Sequence, residues 1–155
     1  MSYRATILAA VPGLAAALLL LPAPASAAAR RHVLPGLACD AGGNTFQYAK
    51  QSGSVRNAAS VGVFYWCPVP RERLNWPIST LKVVVERPDT EPDFTCSFFS
   101  YSGDGSFVES KSRTTNGSGT QTLTINGLTT TTDGSVSIAC ALPPQGRIHS
   151  IRWEE

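Results

Sequence analysis

Few residues in this chain have the types and spacing to do chemistry. The 155 residues contain two histidines, His32 and His149. Acyl transfer of the Ser/His/Asp kind would have to recruit His149, with Asp133 as the partner acid. No G-x-S-x-G elbow is present, and Asp133-Gly134-Ser135 reads first as a turn. Glu86, Asp89, Glu91 and Asp93 crowd the stretch ERPDTEPD. They could supply the paired carboxylates of a glycosidase, but the interleaved prolines mark a solvated loop. Neither this loop nor Asp104 with Asp133 has the regular oxygen spacing of a calcium motif. Cys39, Cys67, Cys96 and Cys140 lie too far apart for a C-x-x-C or zinc pattern, so no metal and no cofactor are expected. The expectation is a protein that is not an enzyme.

The aromatic residues offer binding instead. Phe64, Tyr65 and Trp66 are consecutive, so on a strand they cannot face one way. With Tyr65 inward beside Val63 and Cys67, Phe64 and Trp66 point to the opposite face. Phe99 and Tyr101 likewise alternate against Phe94, Cys96 and Phe98. Outer-face aromatics can stack on a sugar ring or meet a protein partner, or they can simply cover a loop or a sheet edge. Trp76, in RERLNWP, belongs to a loop and could bind a ligand or plug the end of the fold. The candidate binding residues are therefore Phe64, Trp66, Trp76, Phe99 and Tyr101.

The elements that must position them read as strands. Val61, Val63, Tyr65 and Cys67 share one face; Leu81, Val83 and Val85 share another, with Lys82 and Glu86 opposite. Leu123 and Ile125 alternate with threonines, and Val136, Ile138, Cys140 and Leu142 with small residues. A last strand spans about 147–153, and weaker ones about 44–49 and 106–112. This period of two marks half-buried antiparallel strands. Turn chemistry separates them: Gly42-Gly43, Ser52-Gly53, Gly103-Asp104-Gly105, Asn116-Gly117, Asn126-Gly127 and Asp133-Gly134. The Thr/Ser/Gly-rich stretch 113–122 reads as a hairpin tip. No mature stretch shows a capped helical period. The fold class expected is all-β, a two-sheet antiparallel sandwich of immunoglobulin-like or jelly-roll-like kind, with a Greek-key barrel as the alternative.

Export is expected from the N-terminus. Arg4 precedes an Ala/Leu-rich run broken by Pro12 and Gly13, and Ala25-Ser26-Ala27 fits the signal-peptidase pattern. Residues 1–27 then form a signal peptide, 28–38 a tail, and 39–155 a disulfide-stabilised domain, secreted or periplasmic with no stable membrane span. Cleavage removes only one charged residue, Arg4, from a chain of 13 basic and 11 acidic residues. The remainder is too near neutral to favour nucleic acid or a polybasic membrane surface.

Four cysteines in an exported chain read as two disulfides. Two of them end strand-like runs that meet proline, in FYWCPVP and VSIACALPP. Cys96 and Cys140 both face the core and are expected to pair, between strands or between sheets. Cys67, where Pro68 is expected to stop its strand, is left for Cys39. The series WCPVP, FTCSF, IACALPP and IHSIRWEE resembles small exported bacterial β-rich proteins of uncharacterised function. That resemblance implies a β domain with paired cysteines and carries no catalytic residues. The function expected is a structural or protein-interaction role. The alternatives are a carbohydrate- or surface-binding module using the exposed aromatics, or a protease inhibitor presenting loop 68–78 or 87–93. The partner would be an extracellular protein or a glycan.

Overall fold

A computed structural model describes residues 29–42, 48–51, 53–71 and 77–155. The expected signal segment and Trp76 lie outside these residues. Among the described residues the strands are β1 (Arg31–Pro35), β2 (Asp40–Ala41), β3 (Tyr48–Gln51), β4 (Ser54–Asn57), β5 (Val63–Val69), β6 (Thr80–Arg87), β7 (Thr95–Tyr101), β8 (Phe107–Thr114), β9 (Gly119–Asn126), β10 (Ser135–Leu142) and β11 (Arg147–Glu154). They form two antiparallel sheets, as the alternation predicts. One has the order β3-β4-β11-β6-β9, with β1 also pairing β11; the other runs β2-β5-β10-β7-β8. We call them the first and the second sheet.

The core lies between the sheets and is built by the alternating residues. Tyr65, Cys67, Phe98, Ile138 and Leu142 from the second sheet are buried against Leu81, Val83, Val85, Ile148 and Ile151 from the first. Val61 was expected to extend the inward face of β5, but it lies before the strand and is exposed.

Three expectations are corrected. Residues 31–38 are no tail: β1 runs alongside β11 from Arg31 opposite Glu154 to Pro35 opposite Ser150. A 3-10 turn, Gly36–Ala38, then carries the chain across to β2 in the second sheet. The crossing is tight, because a Cβ on Gly36 would stand 1.9 Å from the Ile148 carbonyl oxygen. Next, 113–122 is no hairpin tip. β8 and β9 belong to different sheets, so residues 115–118 bridge the sandwich.

Finally, Pro68 does not end β5, which continues to Val69. The Gly42 amide donates to the Phe64 carbonyl at 2.9 Å, so Phe64 turns its backbone polar groups toward β2. Alternation turns Trp66 and Pro68 the same way. Opposite Pro68 the neighbouring chain is already in the 3-10 turn. The missing N–H therefore faces an open edge, where proline costs no ladder bond.

Both disulfides form as expected, Cys39–Cys67 and Cys96–Cys140. Each joins adjacent strands of the second sheet rather than the two sheets. Cys96 stands directly opposite Cys140, and Asp40 opposite Trp66 puts Cys39 opposite Cys67. All four cysteines are fully buried.

An edge of the sandwich is closed by charge. Glu109, Lys111 and Arg113 alternate along β8 toward the first sheet. The Lys111 ammonium donates to the carbonyls of Asn126 and Gly127 at 3.1 and 2.6 Å. Arg113 donates to the Thr124 carbonyl at 3.2 Å, and Glu109 accepts from the Thr129 amide at 2.7 Å. The Thr124 and Asn126 carbonyls are thereby occupied at the edge of β9, where they would otherwise invite strand addition.

Candidate functional site: an aromatic face

The outward side chains of the second sheet bring four of the five candidate binding residues together. Phe64 and Trp66 project from β5, and Phe99 and Tyr101 from β7, with β10 between them. On β10 the residues beneath are small. Ala139 stands opposite Trp66 on one side and Ser97 on the other, and Ser137 stands opposite Phe99. Trp66 and Phe99 lean toward each other across this low strand. Their ring centroids are 5.8 Å apart and their planes 28° apart. Phe99 and Tyr101 continue the line at 6.5 Å and 27°. Ala139 is buried beneath the rings.

A further aromatic, Phe107, completes the row, meeting Tyr101 edge-on at 6.2 Å. Strict alternation along β8 puts Phe107 on the same side as Glu109, toward the core, so sequence reasoning passes it over. The register shifts between Ser100 and Tyr101, setting Phe107 opposite Tyr101 and on its face. The turn before it is fixed by Asp104, which accepts from the Ser102 hydroxyl and, at 2.9 Å, from the Ser106 amide. These bonds, led by the Ser102 hydroxyl, hold the Asp104 carboxyl below its ordinary value. Gly103-Asp104-Gly105 in the sequence signals the turn, but nothing there signals the bulge.

The strip is partly open to solvent. Phe64 is 61% exposed, Trp66 44% and Phe107 60%, while Phe99 and Tyr101 are half-buried. Gly42 lies against Trp66: a Cβ there would stand 3.2 Å from indole Cδ1 and Nε1. Hydroxyls fringe the rings. Ser97 and Ser112 pair at 2.9 Å, and Thr95 and Thr114 at 2.8 Å. No charged side chain points outward from β5, β10 or β7, and the exposed Asp40 of β2 stands opposite Trp66 at the margin.

The residues considered for catalysis are scattered. His149 sits at the irregularity of β11 with Nε2 3.0 Å from Glu86 Oε2, and Arg147 approaches the same oxygen at 3.8 Å. Asp133 lies in the turn before β10, in the other sheet. The other histidine, His32, stacks on Trp153 with ring centroids 5.1 Å apart. Asp93 ties its loop to the end of β6 and to the β8–β9 crossing, pairing with Arg87 at 3.2 Å and accepting from the Thr115 hydroxyl at 3.1 Å. Among the described residues no three His, Cys, Asp or Glu side chains gather as a metal site would require.

No protein-family model and no curated protein matches the chain. Among solved structures it is similar to a family 35 carbohydrate-binding module from Clostridium thermocellum, at 13% identity over 80% of this chain and 97% of that one, with a TM-score of 0.43. It is also similar to a CBM35 from Paenibacillus barcinonensis, at 14% identity over 79% and 95% of the two chains, with a TM-score of 0.39. What the aromatic face can bind is decided by its own geometry.

Proposed function

We propose that this protein is an exported, non-enzymatic β domain that acts by binding, and that its aromatic face takes a glycan chain. The observation that carries this reading is the row Trp66–Phe99–Tyr101, with near-parallel rings above a floor of small residues. Sugar rings present flat C–H faces ringed by hydroxyls. An aromatic strip fringed by serine, threonine and Asp40 matches that chemistry, since stacked contacts use the rings while the polar groups bond the margin. A row on a sheet also suits a linear ligand better than a compact one. The two disulfides support an oxidising compartment outside the cytoplasm.

Glycan-array binding tests the reading. The protein should score on a small set of linear glycans, and Trp66→Ala and Phe99→Ala should each lose that signal while keeping the fold by circular dichroism. An array with no hits, or hits untouched by both substitutions, sinks it.

A second reading has its own observation. Phe64 and Phe107 stand at opposite margins of the strip and are its most exposed rings. Exposed aromatics at the rim of an apolar face suit a protein partner. A partner gripped there would be lost with Phe64→Ala and Phe107→Ala, whereas glycan binding would depend chiefly on the central pair.

A further inference from the structure

The outer face of the first sheet holds a second feature, which no part of the glycan reading uses. A groove of about 400 Å³ is lined by residues that include Arg31, Val33, Thr80, Lys82, Arg152 and Glu154. In it Lys82 of β6 stands directly opposite Arg152 of β11. Like charges in register across two strands repel and destabilise a sheet. The same sheet sets Arg56 opposite Arg147 as well, but there and at Arg31 a carboxylate is at hand. Arg31 lies 3.0 Å from a Glu154 carboxylate oxygen, and Arg147 3.8 Å from Glu86. Lys82 and Arg152 have no carboxylate partner among the described residues. Their third neighbour in the row is Val33, which is apolar and exposed. The fold thus holds two cations side by side in a concavity, at a cost, and the carboxylate that shares the groove, Glu154, is engaged by Arg31.

We propose that this groove is an oxyanion-binding site, in which a phosphate or carboxylate group bridges Lys82 and Arg152. The guanidinium offers a planar fork that bonds two oxygens of one group, and the ammonium adds a point charge from the adjacent strand. The Thr80 hydroxyl, also lining the groove, supplies a neutral donor. The ligand class is any molecule presenting such a group on an accessible end or branch, because the groove is open to solvent. Binding there is separate from the aromatic face and lies on the other side of the sandwich.

Amide NMR of the protein, titrated with inorganic phosphate, with acetate and with chloride at matched ionic strength, tests this. The expected result is saturable shifts at Val33, Thr80, Lys82 and Arg152 with phosphate, acetate or both, and none that saturate with chloride. A preference for phosphate identifies a phosphoester ligand, and a preference for acetate a carboxylate one. Lys82→Gln should weaken binding about tenfold, and Lys82→Arg should retain it. Lys82→Gln also relieves the repulsion, so it should melt no lower than the parent and gain less from added anion. Equal shifts with chloride, shifts unchanged by Lys82→Gln, or no shifts in the groove would overturn the proposal. Amides around Trp66 and Phe99 should stay still throughout, so this outcome is independent of the glycan reading.

Discussion

Trp66 and Phe99 are separated by a whole strand, yet their rings meet because β10 offers only Ala139 and Ser137 between them. A bulky substitution on that floor should break the strip without touching a ring. Ala139→Leu should part the two aromatics and weaken glycan binding about tenfold, the scale of one aromatic contact; isothermal titration calorimetry would read it. A different residue controls stability. Asn57 is fully buried at the end of β4. Its amide donates to the carbonyls of Val61, Leu142 and Pro143 at 2.8, 3.0 and 3.1 Å, and its Oδ1 accepts from the Ala59 amide at 2.9 Å. Asn57→Ala would strand these backbone groups, and unfolding in urea should show a loss of about 3 kcal/mol or more. In the sequence this residue is one asparagine in SVRNAAS, with no mark of its role. Phe64, Trp66, Phe99 and Tyr101 were legible because a period of two assigns faces. Phe107 was not, because one extra residue in β8 reverses the assignment.

Strands and their ties set the next scale. The two disulfides could be assigned from inward-facing cysteines and a remaining pair, but that they lie within one sheet depends on register, which no local pattern encodes. All four sulfurs are equally buried, so lost core volume does not distinguish the pairs. The loops they close span sequence separations of 28 and 44. Chain entropy then gives roughly 3.5–4 kcal/mol for each. Cys39→Ala/Cys67→Ala and Cys96→Ala/Cys140→Ala should therefore destabilise to within about 1 kcal/mol of each other by this entropic measure; paired urea titrations would check it. β8 carries a pH-dependent tie. The Thr129 amide, its hydroxyl and the Lys111 charge hold the Glu109 carboxyl below its ordinary value of 4.5. A depressed carboxyl contributes stability that is fully present above its unfolded value and is lost as pH falls through the folded one. The Thr129 amide proton should stay hydrogen-bonded above pH 4.5 and shift as acid is added below it. A Thr129 amide resonance that is flat across that range would refute the tie.

At the scale of the molecule, the sandwich was legible because nearly every strand is half-buried and says so by alternation. Its two ends were not. Residues 31–38 lack a pattern of their own, yet β1 completes the first sheet, and Gly36 lets the chain pass under Ile148 into the second. The requirement comes from a carbonyl more than a hundred residues away, so only the assembled fold exhibits it. The reading of 113–122 as a hairpin tip failed for a related reason: the same turn residues serve whether a chain folds back or, as at 115–118, crosses to the facing sheet. What the two sheets accomplish together is to give the molecule two unlike outer faces, one an aromatic row with Asp40 at its margin, the other a groove with paired cations. Glycan binding belongs to the first. The most direct measurement is amide NMR of the protein titrated with the highest-scoring linear oligosaccharide from the array. The account predicts saturable shifts confined to Trp66, Phe99, Tyr101, Phe107 and Ala139, abolished by Trp66→Ala. Shifts centred instead on the first sheet or on residues 87–93, or a titration that leaves the aromatic face unchanged, would contradict it.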